Sequence, residues 1–187
     1  MKHLFLTCTM LGLFATWAAA AVTITPLDPA KNILRVSYEI SDNDRGVKSF
    51  VFPPEGFDFA DGPIVMRGAY VVDSGAMLES RVLTLPTGKQ AIEVIYPAPI
   101  AAGQFYKTRF TFDVPTKNFQ VEPDGRWTVR YSTGHELFFL VPEGHRLVHA
   151  EPQISLEEVD GRVIANFNSK MSDHRGQTFI FQTRPLR

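Results

Sequence analysis

Run after run of this chain alternates apolar and polar residues with a period of two, and that alternation restricts what it can fold into. Ile33 to Ile40 places Leu34, Val36, Tyr38 and Ile40 on one side and Arg35, Ser37 and Glu39 on the other. Gln104 to Val114 does the same, with Tyr106, Phe110, Phe112 and Val114 against Lys107, Arg109 and Asp113. Ala91 to Tyr96 and Arg126 to Tyr131 repeat the pattern, the latter setting Trp127, Val129 and Tyr131 on one face. Successive side chains of a strand point to opposite faces, so each run reads as a strand with one buried face. Leu137 to Val141 is continuously apolar and is expected to be a central strand covered on both sides. Val163, Ala165, Phe167, Phe179 and Phe181 close the series, and no run sustains helical spacing for three turns.

Turn chemistry separates these runs at short intervals. Asp73-Ser74-Gly75, Pro86-Thr87-Gly88, Pro123-Asp124-Gly125 and Pro142-Glu143-Gly144 supply the residues that tolerate turn dihedrals. Many short strands at this spacing predict an all-β fold, an antiparallel β-sandwich of immunoglobulin-like or related type. Pro97 to Gly103 is the most linker-like stretch. It is read as a crossover between sheets, because each half alone would be a marginal domain.

The first residues read differently. Met1-Lys2-His3 is a basic start, Leu4 to Trp17 is mostly apolar, and Ala18 to Ala21 offers small residues at a cleavage position. Residues 1–21 are therefore expected to be a signal peptide, cut after Ala20 or Ala21, and residues 22–187 a single β-sandwich domain. The expected location is periplasmic or secreted. The only cysteine, Cys8, lies in the leader, so residues 22–187 hold no thiol for a disulfide, a metal or a nucleophile. Net charge is −1 with interspersed signs, which gives no nucleic-acid footprint. Beyond the leader no apolar stretch approaches the length of a transmembrane segment.

The chemistry-bearing residues fall short of each catalytic pattern. His135-Glu136 opens like the zinc-protease motif H-E-x-x-H, but Phe139 stands where the second histidine belongs. His145 and His149 have the right separation, but Arg146 replaces the glutamate, and the preceding Pro142-Glu143-Gly144 argues for a strand. In a strand His145, Leu147 and His149 share a face, and the histidines stand about 13 Å apart, too far for one metal. A metal site joining His135 and Glu136 to His145 or His149 across a hairpin is the remaining arrangement. Asp42-Asn43-Asp44-Arg45-Gly46 has the oxygen density of a calcium loop but lacks the later bidentate glutamate. Ser132 lies near His135 without a nucleophile elbow or an identifiable acid. Phe57, Asp58, Phe59 and Asp61 are different: two aromatics and two carboxylates in a loop-like segment form the candidate binding contact.

Ile33-Leu34-Arg35-Val36-Ser37-Tyr38-Glu39-Ile40, followed by Val47-Lys48-Ser49-Phe50-Val51-Phe52-Pro53, resembles the opening hairpin of the N-terminal β-sandwich domain in glycyl-aminopeptidase-like metallopeptidases. The catalytic domain of that family, with its H-E-x-x-H helix, has no counterpart in this sequence. The resemblance thus implies a binding or accessory sandwich.

The expectation is an exported, non-catalytic binding or accessory protein without a cofactor. Its partner would be an envelope protein, a peptide or a glycan. The alternatives are a small metal-assisted hydrolase built on His135 and Glu136 with His145 or His149, and a structural module of a surface assembly.

Overall fold

The computed structural model describes residues 18–28, 31–42, 46–54, 62–133, 135–151, 154–160, 162–167 and 175–183. Most of the leader and Asn43 to Arg45 of the oxygen-rich turn lie outside these residues. The described residues form strands and connections, with no helix among them. The strands are β1 (Ala18–Asp28), β2 (Ile33–Asp42), β3 (Ser49–Phe52), β4 (Val65–Val71), β5 (Met77–Thr84), β6 (Gln90–Ile95) and β7 (Tyr106–Pro115). They continue as β8 (Phe119–Val121), β9 (Trp127–Thr133), β10 (Glu136–Leu140), β11 (His145–Glu151), β12 (Ser155–Val159), β13 (Arg162–Phe167) and β14 (Arg175–Thr183).

A 10-stranded sheet runs β12-β13-β10-β1-β2-β7-β4-β5-β6-β3, and a 4-stranded sheet runs β11-β14-β9-β8. The two layers make the all-β sandwich that the alternation predicts. Among the described residues all strand pairs are antiparallel except one, β1 with β10, where Val22 faces Leu137 and Ile24 faces Phe139. Strand β1 begins inside the alanine stretch, and its inward residues, Val22 and Ile24, are fully buried.

One apolar cluster holds the layers together. The inward residues of β2 and β7 form its centre: Leu34, Val36, Tyr38, Ile40, Phe110, Phe112 and Val114. Strand β3 lies over part of this surface. Phe52 meets Tyr38 at 4.4 Å and Phe110 at 5.2 Å between ring centroids. The smaller sheet covers the rest, with Phe139 stacked on Phe179 and Phe181 at 4.7 and 4.6 Å. Tyr38 and Tyr131 join the layers by a buried hydroxyl–hydroxyl hydrogen bond of 2.6 Å. Rings at these separations and tilts add to area burial through their quadrupoles.

The stretch 97–103, expected as a crossover between sheets, instead links β6 to β7 within the 10-stranded sheet. Ile100 donates its N–H to the Val47 carbonyl and accepts from the Gly46 N–H, both at 3.0 Å, which ties this segment to the approach into β3. The continuous apolar run of β10 departs from its sequence reading. Leu137 and Phe139 are buried, but Phe138 and Leu140 are half-buried, so β10 is covered fully on one face only. It is nonetheless interior to its sheet, between β13 and β1.

Candidate functional site

The face of β2, β7 and β4 opposite the core carries the densest charge chemistry among the described residues. It follows from register. Strand β2 pairs with β7 so that Arg35 faces Asp113, Ser37 faces Thr111 and Glu39 faces Arg109. Since Leu34, Val36 and Tyr38 must point inward, the intervening residues must point outward, and their charges are complementary row by row.

Asp113 sits at one end of this face. Arg35 donates from Nε to Oδ1 at 2.8 Å and from Nη2 to Oδ2 at 3.1 Å. Arg67 of β4 adds Nε and Nη2, at 2.7 and 2.6 Å from Oδ2. The Asp113 side chain is only 6% exposed, while Arg35 and Arg67 are 42% and 50% exposed. Burial alone would raise the Asp113 pKa, but the hydrogen bonds from Arg35 and Arg67 overcome it and hold the carboxyl below its ordinary range. The hydrogen bond to Asp113 in turn raises the Arg35 pKa.

Arg67 lies at a bulge in β4. Val65 pairs with Asp113 and Met66 with Phe112, but Gly68, not Arg67, pairs with Thr111. The extra residue is Arg67, and a bulge of this kind re-aims a side chain. Gly68 has φ of 152°, a conformation that side chains disfavour.

Glu39 repeats the arrangement at the other end. Lys107 pairs with Oε1 and Arg109 Nη2 with Oε2. Arg109 also donates from Nη1 to the Tyr70 hydroxyl at 3.2 Å, with its guanidinium 6.0 Å from that ring's centroid. Burial would raise the Glu39 pKa, and the hydrogen bonds from Lys107 and Arg109 lower it below the usual value. Between the two clusters the Ser37 and Thr111 hydroxyls lie 2.8 Å apart. The buried Asp113 and the partly buried Glu39 thus sit beneath four half-exposed cations, an excess of two positive charges.

The loop candidates Phe57, Asp58, Phe59 and Asp61 lie outside the described residues. The residues where their loop rejoins the fold are well anchored. Ile64 is buried and donates its N–H to Gln90 Oε1 at 2.8 Å. Gly62 lies against Pro115, where an added Cβ would come within 2.7 Å of Cγ.

The histidine candidates are distributed over two sheets. His135 precedes β10 and donates its backbone N–H to Thr133 Oγ1 at 3.0 Å. Glu136 accepts from Asn166 Nδ2 at 3.4 Å. His145 begins β11, with Nδ1 2.9 Å from the Glu143 carbonyl and its ring 4.1 Å from that of Trp127. His149 lies 4.0 Å from Glu151.

The expectation that His145 and His149 share a face is corrected by a β-bulge. Leu147 pairs with Phe181, but His149 pairs with Ile180 and Ala150 with Phe179. Because Phe179 and Phe181 both point into the core, the extra residue turns Ala150 inward and His149 outward. Among the described residues no group of three His, Cys, Asp or Glu side chains is arranged to hold a metal ion. The same residues contain no helix long and apolar enough to cross a membrane.

The ion clusters were missed as a site because each strand's polar residues look like an ordinary solvated face. The signal was present, since Arg35-x-Ser37-x-Glu39 and Arg109-x-Thr111-x-Asp113 are charge-complementary when read antiparallel. Arg67 carried no such signal, because its place beside Asp113 depends on the pairing of β4 with β7.

No protein-family model matches the chain, and no match was found among curated proteins. Solved structures do match. An M1 zinc metallopeptidase from Deinococcus radiodurans aligns over 87% of this chain at 12% identity, with a TM-score of 0.50. A mutant of that enzyme bound to a Tyr-Ser-Ala substrate aligns over 87% at 13% identity and TM-score 0.50. A mutant described as a two-domain M1 zinc metallopeptidase, bound to L-tryptophan, gives 12% and 0.50. The chain spans 41% of the length of each of these structures. At this identity the similarity is one of fold, and it concerns less than half of each peptidase chain.

Proposed function

We propose that this chain is an exported, non-catalytic β-sandwich that works by binding, as an accessory domain to a partner in the cell envelope. The observation that carries this reading is the outer face of β2, β7 and β4, where four half-exposed cations sit over Asp113 and Glu39. The core does not require that surface, and sandwiches commonly bind through surfaces set on a rigid scaffold. The fold similarity to part of M1 zinc metallopeptidases supports an accessory role of the kind implied by the N-terminal sandwich of glycyl-aminopeptidase-like enzymes. The loop holding Phe57, Asp58, Phe59 and Asp61 is a second contact in this reading.

The test is capture from an envelope extract with three baits: the wild type, Arg67→Gln/Lys107→Gln, and Phe57→Ala/Phe59→Ala. The expected result is a specific protein, peptide or glycan retained by the wild type and lost with Arg67→Gln/Lys107→Gln. Retention of nothing specific, together with turnover of a hydrolase substrate by purified protein, would overturn the reading.

A further inference from the structure

We propose that the outer face of β2, β7 and β4 binds an extended acidic peptide segment, with carboxylates at positions i and i+4 and a hydrogen-bonding side chain at i+2. This rests on the binding role proposed above and specifies the ligand of the same face.

The charge count sets the sign. Cross-strand pairing needs one cation per carboxylate, and Arg35 with Asp113 and Arg109 with Glu39 already meet that need. Arg67 and Lys107 are surplus to it. Arg67 in particular comes from a third strand, at the bulge ahead of Gly68. Both surplus cations are about half exposed, at 50% and 42%. Arg35 and Arg67 spend Nε and Nη2 on Asp113, and among the described residues no bond is assigned to Nη1 of either. A guanidinium carries five N–H donors, so each retains a fork for a second carboxylate.

Spacing sets the conformation. The Asp113 cluster, the Ser37–Thr111 hydroxyl pair and the Glu39 cluster follow one another at two-residue steps along β2 and β7. Each step is about 6.8 Å, which places the clusters about 14 Å apart. An extended ligand has the same period. Its residues i, i+2 and i+4 face one way and meet first cluster, hydroxyls and second cluster in turn. A helical ligand does not fit, because its residues i and i+4 are only about 6 Å apart.

The test uses purified full chain and the capped peptide Thr-Glu-Val-Ser-Val-Glu-Thr, titrated by calorimetry at low and high salt. Controls are the same peptide with Gln for both Glu, one with the Glu pair moved to i and i+3, a sulfated glycan, and anionic vesicles of phosphatidylglycerol. The expected result is affinity for the first peptide at least about tenfold above either peptide control and falling with salt. Arg67→Gln/Lys107→Gln is expected to lose that affinity while keeping the circular-dichroism spectrum of the wild type. Arg67→Lys, which keeps the charge, is expected to retain part of it. Equal binding of Glu and Gln peptides, preference for the glycan or vesicles, or affinity unchanged in the double variant would each overturn the proposal. Capture that depends on Arg67 and Lys107 without any peptide affinity would overturn this ligand assignment and leave the binding role standing.

Discussion

Strands β2 and β7 have two faces of opposite character, and the contrast separates what makes this fold from what it offers outside. The inner face is a file of aromatics. Tyr38 stacks on Phe110 and Phe112 at 5.6 and 6.2 Å, and Phe50 and Phe52 close over them from β3. It buries area, which is additive and nearly direction-free. The outer face is a file of charges and hydroxyls, whose carboxylates are more deeply set than its cations. It depends on register, and a surface ion pair contributes little to stability. The same ten residues of each strand therefore serve two purposes, separated by the pleat.

Substitutions break this contrast in graded fashion. The largest effect is expected at the inner face, where Phe110→Ala removes a fully buried ring and costs about 3–5 kcal/mol, read as a lower denaturant midpoint. A loss below about 1 kcal/mol would show that the aromatic file is not the centre of the core. Next comes Asp113→Ala, which removes the acceptor for two guanidiniums at once. Those cations are half exposed and water can take them back, so the expected loss is about 1–2 kcal/mol. Tyr131→Phe, which breaks the 2.6 Å hydroxyl pair with Tyr38 between the layers, is expected to cost about 1 kcal/mol.

The smallest effect is the pH dependence of the outer face. The carboxyls of Asp113 and Glu39 titrate below their ordinary values in the folded chain. Their contribution is therefore fully present above the ordinary carboxylate range, about pH 4, and is lost as pH falls through the depressed folded values. Unfolding midpoints measured against pH should decline on the acid side, and the decline should be shallower in Asp113→Asn/Glu39→Gln. An identical acid slope in both proteins would assign the dependence to other groups.

Much of this was legible in the sequence because it rests on local alternation. Strands β2, β6, β7 and β9 follow from residues such as Leu34, Val36 and Tyr38, which leave one face no option but the core. Strand β1 was obscured because its alanines also read as a cleavage site. Strand β4 carries a bulge that interrupts the period sequence reading relies on, and the strand read at His145 to His149 exists, but its bulge puts His149 on the other face. The candidate site was half legible: Arg35, Glu39, Arg109 and Asp113 were seen as outward residues. Their pairing needed the β2–β7 register, and the place of Arg67 needed the β4–β7 register.

The most direct test of this division compares the ligand-induced shift in urea midpoint for the wild type and Arg67→Gln/Lys107→Gln, with the Thr-Glu-Val-Ser-Val-Glu-Thr peptide as ligand. A ligand that binds only the folded chain stabilises it in proportion to its occupancy. The two proteins should unfold within about 1 kcal/mol of each other without peptide, and only the wild type should gain stability when it is added. A baseline loss as large as that of Phe110→Ala, or the same peptide-induced shift in both proteins, would contradict a division between a face that folds and a face that binds.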